Sequence, residues 1–114
     1  MVAPRETSGD LDTALIFSAL GDPMRLHLVR RLVARAPLSA TELGHGLQVT
    51  RQGVGKHLRV LANAGVIKAN KRGREQLYSL QAESLAQARE TLDGIAAGWD
   101  RALARLKNLV EEGE

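Results

Sequence analysis

The chain lacks cysteine and contains few aromatic residues. Its 114 residues include no Cys and one each of Phe, Tyr and Trp. Because the chain has no thiol, it cannot contain a disulfide, a thiolate metal site or a cysteine nucleophile. A reducing compartment is allowed. Leu, Ala and Val supply most of the apolar residues, which favours closely packed helices over a core built on a sheet. A chain of this length fits one domain, which we expect to be mainly helical.

Long apolar runs and enzyme motifs are also missing. No stretch approaches the roughly 18 apolar residues of a membrane span, and the first ten residues have no hydrophobic signal core. The sequence shows no nucleophile elbow, no glycine-rich phosphate loop and no grouping of His with carboxylates. We therefore expect a cytoplasmic protein without membrane contact, enzymatic activity, cofactor or metal site. Residues 1–10 are predicted to be a flexible N-terminal tail.

Acidic residues are absent from positions 43–74, a window that is rich in positive charge. Outside it, nine basic residues are outnumbered by acidic ones, so the modest net charge of +3 hides a one-sided distribution. Such a field indicates a polyanionic partner. The basic residues of the window are Arg51, Lys56, Arg59, Lys68, Lys71, Arg72 and Arg74.

Local signals predict two helices before this window. Asp10 is a suitable N-cap for a helix over residues 11–20, which a glycine ends. Asp22, followed by proline, caps a second amphipathic helix that closes near Ala36. Both helices offer apolar residues at helical spacing, so we expect them to contribute to the core.

Two further helices follow, joined by a tight turn. Ser39 and Glu42 have the spacing of a capping box, which predicts a short helix over residues 40–46. Thr50 can cap the next helix, over residues 50–64, whose inward stripe is apolar and whose other faces are polar and basic. This is the layout of a helix-turn-helix, in which the second helix enters the major groove of DNA.

The remainder predicts a basic hairpin and one long helix. Residues 66–70 and 76–80 are typical of short strands, with a glycine and three basic residues at the tip between them; residues 70–75 are called the wing below. Apolar residues at alternating steps of three and four predict a helix over 84–111. The expected fold is mainly α with a small β-hairpin: a winged helix-turn-helix domain over 11–112 with a long C-terminal dimerisation helix.

The first turn of the predicted recognition helix carries side chains suited to bases. Arg51 matches guanine and Gln52 matches adenine, each through two parallel hydrogen bonds, whereas the wing arginines suit an adjacent minor groove. A merely solvated basic helix is the simpler alternative. It is disfavoured because the acid-free window coincides with both a turn and a wing.

Three segments in order resemble the ArsR-type winged helix-turn-helix repressors: FSALGDPMRLHLVRRL, LSATELGHGLQVTRQGVGKHLRVLANAGVI and KRGREQLYSL. The resemblance covers about residues 11–110 and implies a homodimer that represses by binding a palindromic operator and loses affinity when a signal arrives. The chemistry of such an effector stays open. The expected DNA-binding residues are Ser39, Thr50, Arg51, Gln52, Gly55, Lys56, His57, Arg59, Lys71, Arg72 and Arg74.

The recognition helix departs from similar proteins in its glycines. Gly55 stands where they usually have a serine that touches DNA, and Gly53 adds a second glycine to the same helix. Each glycine costs about 1 kcal/mol of helix stability relative to alanine. Two explanations stand side by side: the small residues let the helix lie close to its neighbour, or they let its backbone approach the groove.

The sensor is the second departure. Metal-responsive members similar to this chain carry cysteines in the third helix or an Asp and His set on the last helix, because soft or borderline ions need such ligands. This chain has only His27, His45 and His57, on three different helices. A metal- or pH-responsive repressor that uses these histidines with carboxylates is one alternative. The other is a basic helical interaction module that binds an acidic protein or RNA.

The long last helix is predicted to form the dimer. Its apolar stripe is wider than one small domain needs, and an unpaired Trp would be costly to leave in water. Part of the stripe must also cover the chain's own core, so we expect the face to serve both purposes. Two recognition helices in such a dimer read half-sites about 34 Å apart. The predicted interface residues are Phe17, Leu92, Ile95, Trp99, Leu103 and Leu106.

Overall fold

The computed structural model describes residues 6–113, and residues 1–5 of the predicted tail lie outside that range. It contains five helices and three strands within the described residues. In chain order these are α1 (Glu6–Leu20), α2 (Pro23–Ala34), β1 (Leu38–Ser39), α3 (Ala40–Gly44), α4 (Arg51–Asn63), β2 (Ile67–Arg72), β3 (Glu75–Leu80) and α5 (Ala82–Glu112).

The first helix begins five residues earlier than predicted, so residues 6–10 are helical and Asp10 is not its N-cap. Within α1, the Thr13 hydroxyl donates to the carbonyl of Gly9 at 2.9 Å. The amide nitrogen of Gln87, on α5, donates to the Gly9 carbonyl at 3.3 Å and to Thr13 Oγ1 at 2.7 Å. These bonds from a distant helix hold the first turns of α1, and no local sequence signal reveals them.

The predicted caps of the next three helices are confirmed. Asp22 is the N-cap of α2, and its carboxylate accepts a hydrogen bond from the backbone N–H of Arg25 at 3.0 Å. Ser39 and Glu42 form both bonds of a capping box, at 3.2 and 2.9 Å. Thr50 caps α4 by accepting from a backbone N–H at 2.9 Å. Both α2 and α3 end two residues before their predicted limits.

The wing belongs to a three-stranded antiparallel sheet in the order β1-β3-β2. The hairpin of β2 and β3 was predicted, whereas β1 was not. Its two residues are extended because Leu38 pairs with Tyr78 across the sheet, a partner 40 positions away. At the hairpin tip Gly73 adopts a φ of +64°, which favours glycine.

The core lies where the first four helices meet the sheet. Val54, Leu58 and Leu61, the predicted inward stripe of α4, are all buried. They pack with residues of every neighbouring element, of which the largest fully buried are Ile16, Leu28, Leu32, Leu43, Val66 and Ile67. Since α3 and α4 share this core, the orientation of the second helix of the helix-turn-helix is set by apolar packing.

The last helix has 31 residues and is about 46 Å long, which confirms the predicted long C-terminal helix. Only Ala88 of α5 is buried in the chain's own core. The observed fold is therefore a mainly helical winged helix-turn-helix with most of its last helix outside the core. No helix between residues 6 and 113 is long and apolar enough to cross a membrane.

Candidate nucleic-acid interface

The exposed side of α4 carries five of the eleven predicted DNA-binding residues. At 100° per residue, the turn of an α-helix places positions 51, 52, 55, 56 and 59 within one arc of about 140°, which excludes the buried stripe. The four side chains on this arc are exposed. We call these residues the basic face: Arg51, Gln52, Gly55, Lys56 and Arg59.

The two glycines of α4 have different surroundings. A Cβ added to Gly53 would stand 2.6 Å from Val49 Cγ1, closer than atoms can pack, and 3.2 Å from Thr50 Oγ1, which is a tight contact. A Cβ added to Gly55 would meet no atom within 4 Å. Gly53 thus allows Val49 and Thr50, just before α4, to pack against the first turn of the helix. Gly55 has no such neighbour and stays bare at the middle of the basic face.

His57 faces away from the basic face, toward the junction of α1 and α2. Its Nδ1 lies 3.8 Å from Asp22 Oδ2 and 3.5 Å from Nη1 of Arg25, and the side chain is 25% exposed. The guanidinium of Arg25 also donates through Nε to the Ala19 carbonyl at 2.7 Å and through Nη2 to the Ser18 carbonyl at 3.4 Å. The structure therefore brings His57 to a contact between helices, apart from Arg51 and Gln52.

The predicted contacts at the helix starts differ in accessibility. Ser39 is only 7% exposed, and its hydroxyl accepts the N–H bond of the capping box. Thr50 is exposed and caps the basic face at its N-terminal end. Thr50 is thus open to a partner, whereas Ser39 is occupied within the fold.

Arg31 fixes the turn of the helix-turn-helix, a role that sequence reasoning missed. Its Nη1 donates to the carbonyls of Leu43 and His45, both at 2.8 Å, and its Nε donates to Nε2 of His27 at 3.1 Å. The two carbonyls lie at the C-terminal end of α3, where helical carbonyls have no partner of their own. From the sequence, Arg31 belonged to the polar side of an amphipathic helix, and no pattern marks it as a C-terminal cap of another helix.

Two carboxyl groups near the interface are held in their charged form. The backbone N–H of Arg25 lowers the pKa of Asp22, and the charges of Arg25 and His57 add to that effect. Hydrogen bonds from the backbone and hydroxyl of Ser39, followed by the charge of Arg35, lower the pKa of Glu42. Neither carboxylate lies on the basic face, because Asp22 is beside His57 on the other side of α4 and Glu42 belongs to the capping box of α3.

The wing presents its basic side chains to solvent. Lys71, Arg72 and Arg74 are exposed along the end of the hairpin, and Arg72 pairs in register with Glu75. Cross-strand partners share one face of a sheet, so Glu75 offsets part of the charge of Arg72. Lys71 pairs with the neutral Gln76, and Arg74 lies in the turn outside the register, so neither faces an acidic residue across the strands.

The three histidines are not brought together. His27 lies on α2 and accepts from Arg31, His45 follows the end of α3, and His57 lies on α4 beside Asp22. Within residues 6–113 no group of three or more His, Asp or Glu side chains has the geometry to hold a metal ion. The predicted metal-responsive alternative thus gains no support from the arrangement of these side chains.

A second exposed surface is apolar and lies on α5. Five of the predicted interface residues form one stripe along the helix, which we call the α5 seam: Leu92, Ile95, Trp99, Leu103 and Leu106. Trp99 is 64% exposed and Leu103 is 46% exposed. Phe17 differs, since it is half-buried and packs against the chain's own core. Leu11 and Leu15 of α1 are instead exposed.

Known proteins share this architecture and parts of this sequence. A family model described as a helix-turn-helix domain matches residues 20–68. The HTH-type transcriptional regulator Rv2034 of Mycobacterium tuberculosis is 36% identical over 99 residues, which cover 86% of this chain and 89% of that protein. The HTH-type transcriptional repressor SmtB of the same species is 37% identical, with 85% and 69% covered.

Solved structures agree with these relatives. An ArsR-like transcriptional regulator from Rhodococcus sp. RHA1 superposes with a TM-score of 0.75 at 37% identity, and the match covers 88% of this chain and 93% of that one. A homodimeric winged helix-turn-helix DNA-binding domain, Mb0332 from Mycobacterium bovis, has a TM-score of 0.67 at 18% identity, covering 85% and 89%. At that identity the second likeness concerns the fold alone.

Proposed function

This chain belongs to the ArsR family of winged helix-turn-helix transcriptional regulators, and we propose that it acts as a homodimeric repressor of a palindromic operator. DNA-binding transcriptional regulation follows from the family. The observation that carries the finer proposal is the basic face, on which three cations and an amide project from one side of α4 with no acidic side chain among them. Its relatives are regulators and not enzymes, and we propose no catalytic activity for it.

The basic face and the wing make different kinds of contact with DNA in this proposal. Arg51 and Gln52 lie in the first turn of α4, where a recognition helix reaches base edges, so we assign sequence readout to them. Lys56 and Arg59 lie further along the helix and suit phosphates. Lys71 and Arg74 of the wing suit the backbone or the adjacent minor groove. Gly55, bare between these side chains, lets the helix backbone lie close to the DNA.

The α5 seam supplies the dimer in this proposal. Trp99 and four large aliphatic side chains form a stripe that a monomer would leave in water. Mb0332, which shares the fold, is described as homodimeric. Pairing two seams related by a two-fold axis buries the stripe and gives the protein two recognition helices, as a palindromic operator requires. A protein with this function works in the cytoplasm, where it meets its operator DNA.

Selection of bound duplexes from a random pool by the purified protein tests the proposal. A palindrome with half-sites about 34 Å apart, centre to centre, is the expected result. The Trp99→Glu variant, with the α5 seam disrupted, is the matched control and should enrich single half-sites or nothing. Absence of any enriched sequence with the wild-type protein would contradict the proposal and favour a basic module that binds RNA or an acidic protein.

A further inference from the structure

A cleft of about 450 Å³ opens between α2 and α3, within the size range of small-molecule sites. We call it the α2–α3 cleft. Ala34 and Leu38 provide its apolar surface, while Arg31, Arg35 and His45 stand around it. A cationic rim around an apolar surface suits a ligand with a negative head and an apolar body.

The balance of charge in the cleft is positive. Its one carboxylate, Glu42, accepts the backbone N–H of Ser39 at 2.9 Å and is already used in the capping box. Two guanidinium groups therefore stand against a single carboxylate, which Arg35 helps to keep ionised by lowering its pKa, and the cleft keeps one net positive charge. The guanidinium of Arg35 lies at an exposed position on the rim, and a guanidinium binds a carboxylate through two parallel hydrogen bonds.

We propose that the α2–α3 cleft binds a small organic acid, with its carboxylate on Arg35 and its apolar part on Ala34 and Leu38. The apolar surface of the cleft favours such a ligand over inorganic phosphate. The guanidinium of Arg35 favours it over a neutral amide. Nothing in this site depends on thiol or imidazole ligands, so it differs in chemistry from a metal sensor.

Arg31 connects the cleft to the DNA-binding surface. The same side chain that lines the cleft donates to the carbonyls of Leu43 and His45 at 2.8 Å. Five residues after His45 the chain reaches Thr50, the N-cap of the recognition helix. A ligand carboxylate held on Arg35 adds a negative charge beside Arg31, draws the Arg31 guanidinium away from those carbonyls, loosens the turn and lowers DNA affinity. This coupling rests on the proposed function, whereas the ligand site itself does not.

The site is tested without DNA, by NMR titration of the full chain with benzoate and hexanoate and with the matching neutral amides. Saturable shifts at Leu38 and His45 are expected with the acids and not with the amides. Arg35→Gln should weaken acid binding about tenfold, the loss expected for a charge-assisted pair. Arg30→Gln removes the same charge from an exposed position of α2 outside the cleft and should bind as the wild type does.

Three results would overturn the site: no saturable shift with either acid, equal binding of acids and amides, or equal losses in Arg35→Gln and Arg30→Gln. The coupling is tested separately with the selected operator. A saturating acid should lower DNA affinity by about fivefold or more, and the operator should lower acid affinity by the same factor. Acid binding with unchanged DNA affinity would overturn the coupling through Arg31.

Discussion

Nη1 of Arg25 on α2 lies 3.5 Å from Nδ1 of His57 on the recognition helix. Asp22 Oδ2 lies 3.8 Å from the same His57 nitrogen, so the ring is placed between a guanidinium and a carboxylate. Through its other nitrogens Arg25 holds the carbonyls of Ser18 and Ala19 at the end of α1. One side chain thus joins three helices and sets the position of α4 from its far side.

Arg25→Ala should weaken both the fold and DNA binding. Loss of the bonds to the α1 carbonyls should lower the free energy of unfolding by about 1–2 kcal/mol, given that the group is half-buried. DNA affinity should fall even under conditions in which the variant is fully folded, because α4 loses its contact with Arg25. Urea unfolding and DNA titration measure the two effects. Arg30→Ala, on the exposed side of α2, is the control, and equal effects in both variants would refute the positioning role of Arg25.

The two glycines of α4 should respond oppositely to alanine. Gly53→Ala places a methyl group 2.6 Å from Val49, so the neighbouring atoms must shift. After the gain in helix propensity is subtracted, the free energy of unfolding should fall by about 1–2 kcal/mol. Gly55→Ala meets no neighbour and should raise the free energy of unfolding by up to about 1 kcal/mol. Urea unfolding of the pair is the measurement, and a change of the same sign in both would contradict the assigned environments.

Asp22 and Glu42 should make stability fall in acid. Because backbone hydrogen bonds from Arg25 and Ser39 lower the pKa values of these carboxyls in the folded state, their ionised forms stabilise the fold above the pKa values of the unfolded chain. This contribution is lost as pH falls below about 5 and passes through the lowered values. The stability advantage of the wild type over Asp22→Asn should therefore shrink with acidity. Parallel curves of unfolding free energy against pH would contradict the assignment.

The α5 seam should control the oligomeric state. Leu103→Glu places a charge in the seam and should yield monomers, with helical content kept because the position is exposed in one chain. Arg101→Glu reverses a charge on the opposite side of α5, as helical geometry places it, and should leave dimers intact. Sedimentation velocity at micromolar concentration distinguishes the outcomes. A monomeric wild-type protein would refute the dimer.

Local chemistry made part of this fold predictable from the sequence. A cap needs one side chain and a backbone group three residues away, so Asp22, Ser39 and Thr50 could be assigned from spacing alone. The buried side of α4 followed from the helical repeat of its apolar residues in the same way. Five of the six predicted interface residues share an exposed stripe for that reason, although their pairing with a second chain stays a prediction.

Features that depend on residues far away in the chain could not be predicted from the sequence. β1 exists because Leu38 meets Tyr78 on β3, and the early start of α1 depends on Gln87 of α5. The direction of His57 and the bonds of Arg31 arise from how helices pack, which no periodicity encodes. Arg25 and Arg31 were predicted only as the polar side of α2, whereas the structure uses them to hold the recognition helix and the turn before it.

The most direct measurement is a fluorescence anisotropy titration of the selected duplex and of a scrambled duplex with wild type and Arg51→Ala/Gln52→Ala. The variant should lose at least about tenfold in affinity for the selected duplex and much less for the scrambled one, because base readout is removed while most phosphate contacts stay. Arg101→Ala/Asn108→Ala also removes one guanidinium and one carboxamide group, from exposed positions on α5, and should match the wild type. Equal losses on both duplexes, or an equal loss in the α5 variant, would contradict sequence readout by the basic face.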